Sequence, residues 1–351
     1  SQELVALQAE LFQAEKELEH IILAIQRANP KYSDLVHAFD VVTVNELKPI
    51  LKVDQRALIE YFYADSAIYT LLVTEDTFIV QTYFPNPAFD SSLQSLTNTI
   101  HQIPAASTKH NATQYASHSA RILDAIWRPI EKFLPKNITV IPDGPLSFIS
   151  FESLASVGPK QGQIEFHNLS YLLDHYTISY DYSGTFMARQ AARMVVPANK
   201  MLAIAPSFGE HAEVPELAES KRGVQKLASE YNGVQALVGE NGSKRAFLQN
   251  AESNQIIDLA THGRFDSKNF LNSCIYFSPD GSGDSILFLN ELYTLNLPAE
   301  LAILEACETG LGDYHQGEGV MSLARGFTYA GCRSVLMSLW KVSESKSTRT
   351  I

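Results

Sequence analysis

Beyond Lys200 the sequence alternates short apolar runs with helical segments, and this alternation is the feature that most limits the fold. Four of the runs have the length and composition of buried strands, and they cover residues 201–208, 256–263, 301–307 and 334–342. Strands that alternate with helices are typical of an α/β protein whose mainly parallel sheet is covered on both faces. Residues that follow such strands meet at the carboxyl edge of the sheet, where α/β folds place their sites.

We predict three regions along the chain. Residues 1–54 form a helical segment, because apolar residues recur at steps of three and four until Asn29-Pro30 interrupts the pattern. Residues 55–196 form an α/β region, and residues 197–351 form a second one. The apolar seam of the first helix either packs on its own domain or docks a partner outside the chain. The seam consists of Leu4, Leu7, Leu11, Ala14, Leu18, Ile21 and Ile25.

Turn residues and hydrophobic periodicity locate the shorter elements. A hairpin is predicted with its turn at Glu75-Asp76, because runs rich in β-branched and aromatic residues flank these two acids. Ser243 is expected to cap a helix through its hydroxyl. The predicted helices cover residues 93–100, 115–130, 215–231, 243–250, 289–295 and 318–330.

Composition and charge exclude several classes of protein. The chain carries 27 Lys+Arg and 39 Asp+Glu, a net charge of −12, whereas sequence-independent nucleic-acid binding needs clustered basic residues. No stretch reaches the ~18 apolar residues of a membrane span, and the first 20 residues lack the apolar core of a signal peptide. We therefore expect a cytoplasmic protein that contacts neither nucleic acid nor membrane. Because the chain starts at Ser1 and not at Met, we expect it to be part of a longer protein or a chain trimmed at its N-terminus.

The chain has three cysteines, which cannot form a disulfide framework and which suit a reducing compartment. No pair of cysteines or histidines has the spacing of a metal site, so we expect neither a metal nor another cofactor. Cys274 and Cys332 precede or begin their strands, and both are expected to be structural thiols. Cys307 differs from them because it ends an apolar run.

His262 and Cys307 are candidates for a catalytic dyad. They follow two of the predicted parallel strands, so we expect them to leave the sheet side by side. A thiolate nucleophile needs a neighbouring base, and an imidazole can take the thiol proton and later protonate the leaving amine. The backbone N–H groups of Gly263 and Cys307 are candidates for an oxyanion hole.

The sequence resembles the CHAT domain, a caspase-like branch of the clan CD cysteine peptidases that is also related to separase. The resemblance rests on Thr261-His262-Gly263, on LAILEACETG at 301–310 and on the segment 317–342, and it extends from about Leu47 to the end of the chain. The separation of 45 residues between His262 and Cys307 (307 − 262) is close to the ~50 of caspases.

This resemblance implies an endopeptidase that uses His262 and Cys307 on a protein substrate, with residues 55–196 as an inactive caspase-like half. It also implies an activating partner or TPR region outside the chain, and a role in bacterial defence or regulated death through an effector such as a gasdermin-like pore-former. Relatives continue beyond residue 342 with a helix and a strand, so we expect the C-terminus to be truncated or to lie on a separate fragment. The alternative is a catalytically silent caspase-like scaffold that binds partners.

Three further residues are candidates for substrate contacts, namely Glu308, His315 and Glu344. His315 lies in a glycine-rich stretch and either touches substrate or faces solvent. Glu344 follows the strand where this clan builds the pocket for the residue before the scissile bond. A carboxylate there would favour Lys or Arg in the substrate, and the alternative is a solvated surface acid.

Overall fold

The computed structural model of the protein divides into two compact units, residues 1–43 and residues 44–351. The predicted apolar seam before Pro30 lies outside the described residues. The structure describes Lys16 and residues 41–102, 109–156, 165–194, 199–209, 214–266, 268–281, 283–305, 312–315 and 319–339.

The larger unit contains a mixed five-stranded sheet with the strand order β3-β2-β1-β4-β5. Its strands are β1 (Arg56–Tyr63), β2 (Ile68–Val73), β3 (Phe78–Tyr83), β4 (Asn137–Ile141) and β5 (Thr177–Tyr180). Strands β1 to β3 are antiparallel neighbours, whereas β4 is parallel to both β1 and β5. The predicted hairpin at Glu75-Asp76 is confirmed, and the N–H of Thr74 donates to the carbonyl of Thr77 across its turn at 2.9 Å.

Five helices and a core rich in aromatic side chains accompany this sheet in the described part of residues 44–194. The helices are α1 (Val44–Val53), α2 (Pro87–Gln102), α3 (Lys109–Ile126), α4 (Arg128–Glu131) and, after β5, α5 (Gly184–Ala192). The core is centred on Phe151, whose ring contacts those of Tyr61 and Trp127, and all three side chains are almost fully buried. The helix predicted at 93–100 is present within α2, whereas the helix predicted at 115–130 is interrupted at Trp127 and divided between α3 and α4.

The second sheet contains five parallel strands in the order β15-β12-β8-β6-β7, which confirms the prediction of a parallel sheet. Its strands are β6 (Met201–Pro206), β7 (Val234–Gly239), β8 (Ile256–Leu259), β12 (Leu301–Leu304) and β15 (Ser334–Met337). Both faces of this sheet are covered. Large apolar residues pack on one face, while Ala203, Ala205 and Ala260 leave room on the other face for Val224 of a helix.

Among the described residues after Lys200, the chain also forms four helices and two small antiparallel sheets. The helices are α6 (Ala218–Glu230), α7 (Lys244–Asn250), α8 (Leu289–Leu292) and α9 (Leu323–Ala330), and the small sheets contain β9 (Gly263–Arg264), β10 (Cys274–Tyr276) and β11 (Ile286–Phe288), and β13 (Gly312–His315) and β14 (Gly319–Ser322). Short 3₁₀ turns cover Gly144–Phe148, Phe151–Ser153, Phe166–Asn168, Leu172–Asp174, Ala251–Ser253 and Phe270–Asn272. Ser243 caps α7 as predicted, because its hydroxyl accepts the N–H of Ala246 at 3.2 Å.

The helix predicted over 318–330 is wrong in its first part. Residues Gly319–Ser322 form strand β14, which pairs with β13, and the helix starts only at Leu323. The hydroxyl of Ser322 accepts the N–H of Arg325 at 3.3 Å, so Ser322 caps the N-terminus of the helix that follows it.

The α/β class is confirmed, whereas the interpretation of residues 55–196 as an inactive caspase-like half stays a prediction, as do the proposed boundaries. Within the described ranges, no helix combines the length and the hydrophobicity that crossing a bilayer would require.

Candidate active site

The carboxyl ends of β8 and β12 lie side by side at one edge of the parallel sheet. Leu259 is paired with Leu304, and the N–H of Glu305 donates to the carbonyl of Leu259 at 3.0 Å, so the alignment continues past the last paired residues. In the sequence His262 comes three residues after Leu259, and Cys307 comes three residues after Leu304. Cys307 lies outside the described residues, so the dyad itself stays a prediction.

The imidazole of His262 is bound by a backbone carbonyl. Its Nε2 atom lies 2.8 Å from the carbonyl oxygen of Pro215, which precedes helix α6. A carbonyl oxygen can only accept a hydrogen bond, so Nε2 must be the nitrogen that carries the proton. In the neutral ring Nδ1 is then unprotonated, and Nδ1 is the atom that can accept a proton from a thiol.

An aromatic ring packs against this imidazole. The ring centroids of Phe208 and His262 are 5.1 Å apart with an angle of 51° between the planes. Phe208 is only 5% exposed and lies just beyond the end of β6. The orientation of the imidazole is therefore restrained by a ring on its face and by a hydrogen bond at its edge.

The turn from β8 into β9 is held by the residues of the Thr-His-Gly motif. The hydroxyl of Thr261 donates to the carbonyl of Tyr276 at 2.6 Å, and the N–H of Tyr276 donates to the carbonyl of His262 at 3.0 Å. This second bond makes the opposed residues Gly263 and Ile275 a non-hydrogen-bonded pair of the antiparallel ladder. The ladder therefore does not use the N–H of Gly263, which suits the oxyanion role predicted for it.

A comparison with protein families finds a match for this chain. The CHAT domain model matches residues 117–350, two-thirds of the chain. The chain belongs to the CHAT domain family. CHAT domains are caspase-like and are related to the clan CD cysteine peptidases. A search of curated proteins finds no match to this CHAT protein.

Two carboxyl groups lie on one face of the sheet below the candidate site of this CHAT domain. Asp258 is opposite Ile303, and Glu305 lies two residues further along, hence on the same face. Asp258 is 2% exposed, and its Oδ1 atom has no hydrogen-bond partner among the described residues. Burial, and then the charge of Glu305, raise the pKa of Asp258 well above its usual value. Asp258 therefore holds a proton at pH values where an exposed aspartate is ionised.

The two other cysteines behave as structural thiols, as predicted. Cys274 is the first residue of β10, and Cys332 precedes β15, so Cys332 lies at the amino edge of the parallel sheet. Both thiols are free and buried. Burial raises the pKa of Cys274 and raises that of Cys332 to about 12, which keeps both protonated near neutral pH.

The three predicted substrate contacts stay predictions. Glu308 and Glu344 lie outside the described residues. The backbone of His315 ends strand β13, opposite Gly319, so the glycine-rich stretch contains a hairpin. In the part of the chain that is described, no cluster of His, Cys, Asp or Glu has the arrangement of a metal site.

Sequence reasoning missed Pro215 and Phe208. Pro215 contributes a backbone carbonyl, a group that every residue has, so its residue type carries no signal of the role. Phe208 ends the first apolar run, and only its position at the same sheet edge as His262 could have indicated that it contacts the imidazole.

Proposed function

We propose that this CHAT domain is a cysteine endopeptidase in which Cys307 is the nucleophile and His262 is the base. The observation that supports the proposal best is the aligned pair of strand ends, with Leu259 opposite Leu304 and the two candidate residues at the same distance beyond them in sequence. The hydrogen bond from Nε2 of His262 to the carbonyl of Pro215 also supports the proposal, because it leaves Nδ1 able to accept a proton.

The reaction follows from these roles. Nδ1 of His262 takes the proton of the Cys307 thiol as Sγ attacks the scissile carbonyl, and the N–H groups of Gly263 and Cys307 bind the developing oxyanion. The imidazolium then protonates the leaving amine, which leaves a thioester on Sγ. Water, deprotonated by Nδ1, hydrolyses the thioester and restores the thiol. Nε2 of His262 carries a proton in both the neutral ring and the imidazolium, so it can donate to the carbonyl of Pro215 in both forms. This hydrogen bond stabilises the imidazolium when it forms.

The proposed substrate is a protein. On the strength of the family resemblance, we propose a cytoplasmic protease of bacterial defence or regulated death that cleaves an effector such as a gasdermin-like pore-former. An activating partner or a TPR region outside this chain belongs to the same proposal. Glu308, His315 and Glu344 are the proposed substrate contacts, and Glu344 would favour Lys or Arg before the scissile bond.

Cleavage of a peptide library and of candidate effector proteins tests the proposal. Cys307→Ala and His262→Ala should each reduce kcat by at least ~10³-fold, because the two residues act as a unit. Cys332→Ser is the matched control, since it removes a thiol away from the site, and should keep the wild-type rate if the variant folds. Cleavage that persists in Cys307→Ala would overturn the assignment. A protein that neither cleaves nor reacts with a peptidyl electrophile in the presence of its partner would instead be a scaffold.

A further inference from the structure

The carboxylate of Glu216 binds three groups beside the candidate site. Its Oε1 atom accepts the N–H of Phe208 at 2.6 Å and the N–H of Gly209 at 3.1 Å. Its Oε2 atom forms an ion pair with Lys221 in the first turns of α6. Gly209 has a φ of 79°, in the left-handed region that favours glycine, and this conformation lets two successive N–H groups meet one oxygen.

Lys221 restrains the carboxylate from the helix side. Besides pairing with Glu216, its ammonium donates to the hydroxyl of Ser207 at 2.6 Å. The side chain of Lys221 is 21% exposed and that of Glu216 is 44% exposed, so the pair is partly shielded from water. Burial alone would raise the pKa of Glu216, but the bonds from Lys221, Phe208 and Gly209 outweigh it and lower the pKa. The three bonds therefore favour the ionised form of the Glu216 carboxyl group.

Both restraints on the His262 imidazole are adjacent to this carboxylate. Glu216 binds the backbone of Phe208, whose ring packs on the imidazole. Glu216 also follows Pro215 directly in the chain, and the carbonyl of Pro215 accepts the hydrogen bond from Nε2. Glu216 therefore links Phe208, which contacts the face of the imidazole ring, to Pro215, whose carbonyl determines which nitrogen of the ring carries the proton.

We propose that Glu216 is a positioning residue that keeps His262 in the orientation and tautomer of a general base. This inference rests on the proposed function, because it concerns the base of the proposed dyad. Without the carboxylate, the segments that carry Phe208 and Pro215 lose their shared anchor. The imidazole can then rotate, and the proton can occupy Nδ1 in place of Nε2, where it blocks acceptance of the thiol proton. Misplacement of a catalytic group by about 1 Å can cost ~10²-fold in rate.

The test compares Glu216→Ala and Glu216→Gln with Glu219→Gln in the full chain. Glu219 also lies at the start of α6 and also pairs with a basic residue, Arg222, so it controls for the loss of one surface charge. Nitrogen NMR of labelled histidine reports the tautomer of His262 in the resting protein, and the signal is assigned by its absence in His262→Ala. The kcat and KM for a cleaved peptide are measured on the same variants.

In Glu216→Ala we expect a mixture of tautomers and a fall in kcat of roughly 10- to 100-fold with little change in KM. Glu216→Gln keeps an oxygen for the two N–H groups and should lose less, and Glu219→Gln should match the wild type. An unchanged tautomer in Glu216→Ala overturns the inference whatever the rate does, and so does a changed tautomer without loss of kcat. If Glu216→Ala does not fold, Glu216→Gln and Lys221→Met decide the question by the same two readouts.

The tautomer measurement needs no turnover, so it separates this inference from the proposed function. If Cys307→Ala retains cleavage, the proposed function fails, while the resonances of His262 still show whether Glu216 controls the ring.

Discussion

The rings of Phe208 and His262 lie 5.1 Å apart at the carboxyl edge of the parallel sheet, and they come from the ends of two neighbouring strands, β6 and β8. Through this contact a packing residue, Phe208, restrains the proposed catalytic base, His262. A buried phenyl ring restricts the imidazole by shape, whereas the carbonyl of Pro215 restricts it by hydrogen bonding.

Phe208→Ala should therefore lower kcat by about tenfold with a smaller effect on KM, because the imidazole gains rotational freedom. The free energy of unfolding should fall by about 3 kcal/mol, as for other buried phenylalanines that are truncated to alanine. Phe208→Leu, which retains much of the volume, is the control and should recover most of both losses. Peptide cleavage and urea unfolding measure the two effects. A stability loss with an unchanged kcat would show that the ring is only a packing residue.

The thiol reactivity of the native protein gives a second prediction. Burial raises the pKa of Cys332 to about 12 and raises that of Cys274, so neither forms a thiolate near pH 7. We expect iodoacetamide to modify one of the three cysteines in the native protein and all three in urea. Mass spectrometry should assign the native label to Cys307, and Cys307→Ser should abolish it. A native label that disappears in Cys332→Ser contradicts the prediction.

Asp258 gives a prediction on the pH dependence of stability. Its native pKa is raised by burial and by Glu305, above the ~3.9 of an unfolded aspartate. The contribution of Asp258 to the free energy of unfolding is therefore fully present at pH values below its pKa in the unfolded chain. This contribution is lost as the pH rises towards its pKa in the native protein. The loss is at most about 1.4 kcal/mol per pH unit for one proton.

Asp258→Asn should flatten this dependence between pH 4 and pH 8, as measured by urea unfolding. At pH 8 the variant should be at least as stable as the wild type, because it no longer buries an ionisable group. Asp266→Asn is a control of opposite sign, since the N–H groups of Asn269 and Lys268 lower the pKa of the exposed Asp266 carboxyl. Identical pH slopes in Asp258→Asn and the wild type would rule out this account.

The sequence predicted the parts of this protein that depend on periodicity. The apolar runs around Leu259 and Leu304 identified two parallel strands, and the motif after the first strand identified His262. The segment Gly319–Ser322 was wrongly predicted as helix, because its apolar pattern continues that of α9 while pairing with β13 makes it a strand. The role of Pro215 is carried by a carbonyl, which no residue type encodes.

Gly326 in α9 provides the last prediction, because this glycine is needed for close packing and not for its backbone freedom. A Cβ atom at this position would contact Leu289 and lie 2.7 Å from the Cδ2 atom of Leu292. Both leucines are at most 1% exposed, so they have little room to move. Gly326→Ala gains up to about 1 kcal/mol of helix propensity but costs about 1–3 kcal/mol in overpacking.

We therefore expect Gly326→Ala to lower the free energy of unfolding, and Gly326→Val to lower it further. A double-mutant cycle with Leu292→Ala isolates the packing contribution, because removal of the leucine side chain makes room for the new methyl group. In the Leu292→Ala background, Gly326→Ala should be neutral or stabilising, so the two substitutions should be less than additive. Strictly additive effects in urea unfolding would mean that α8 and α9 are not in the close contact that the structure shows.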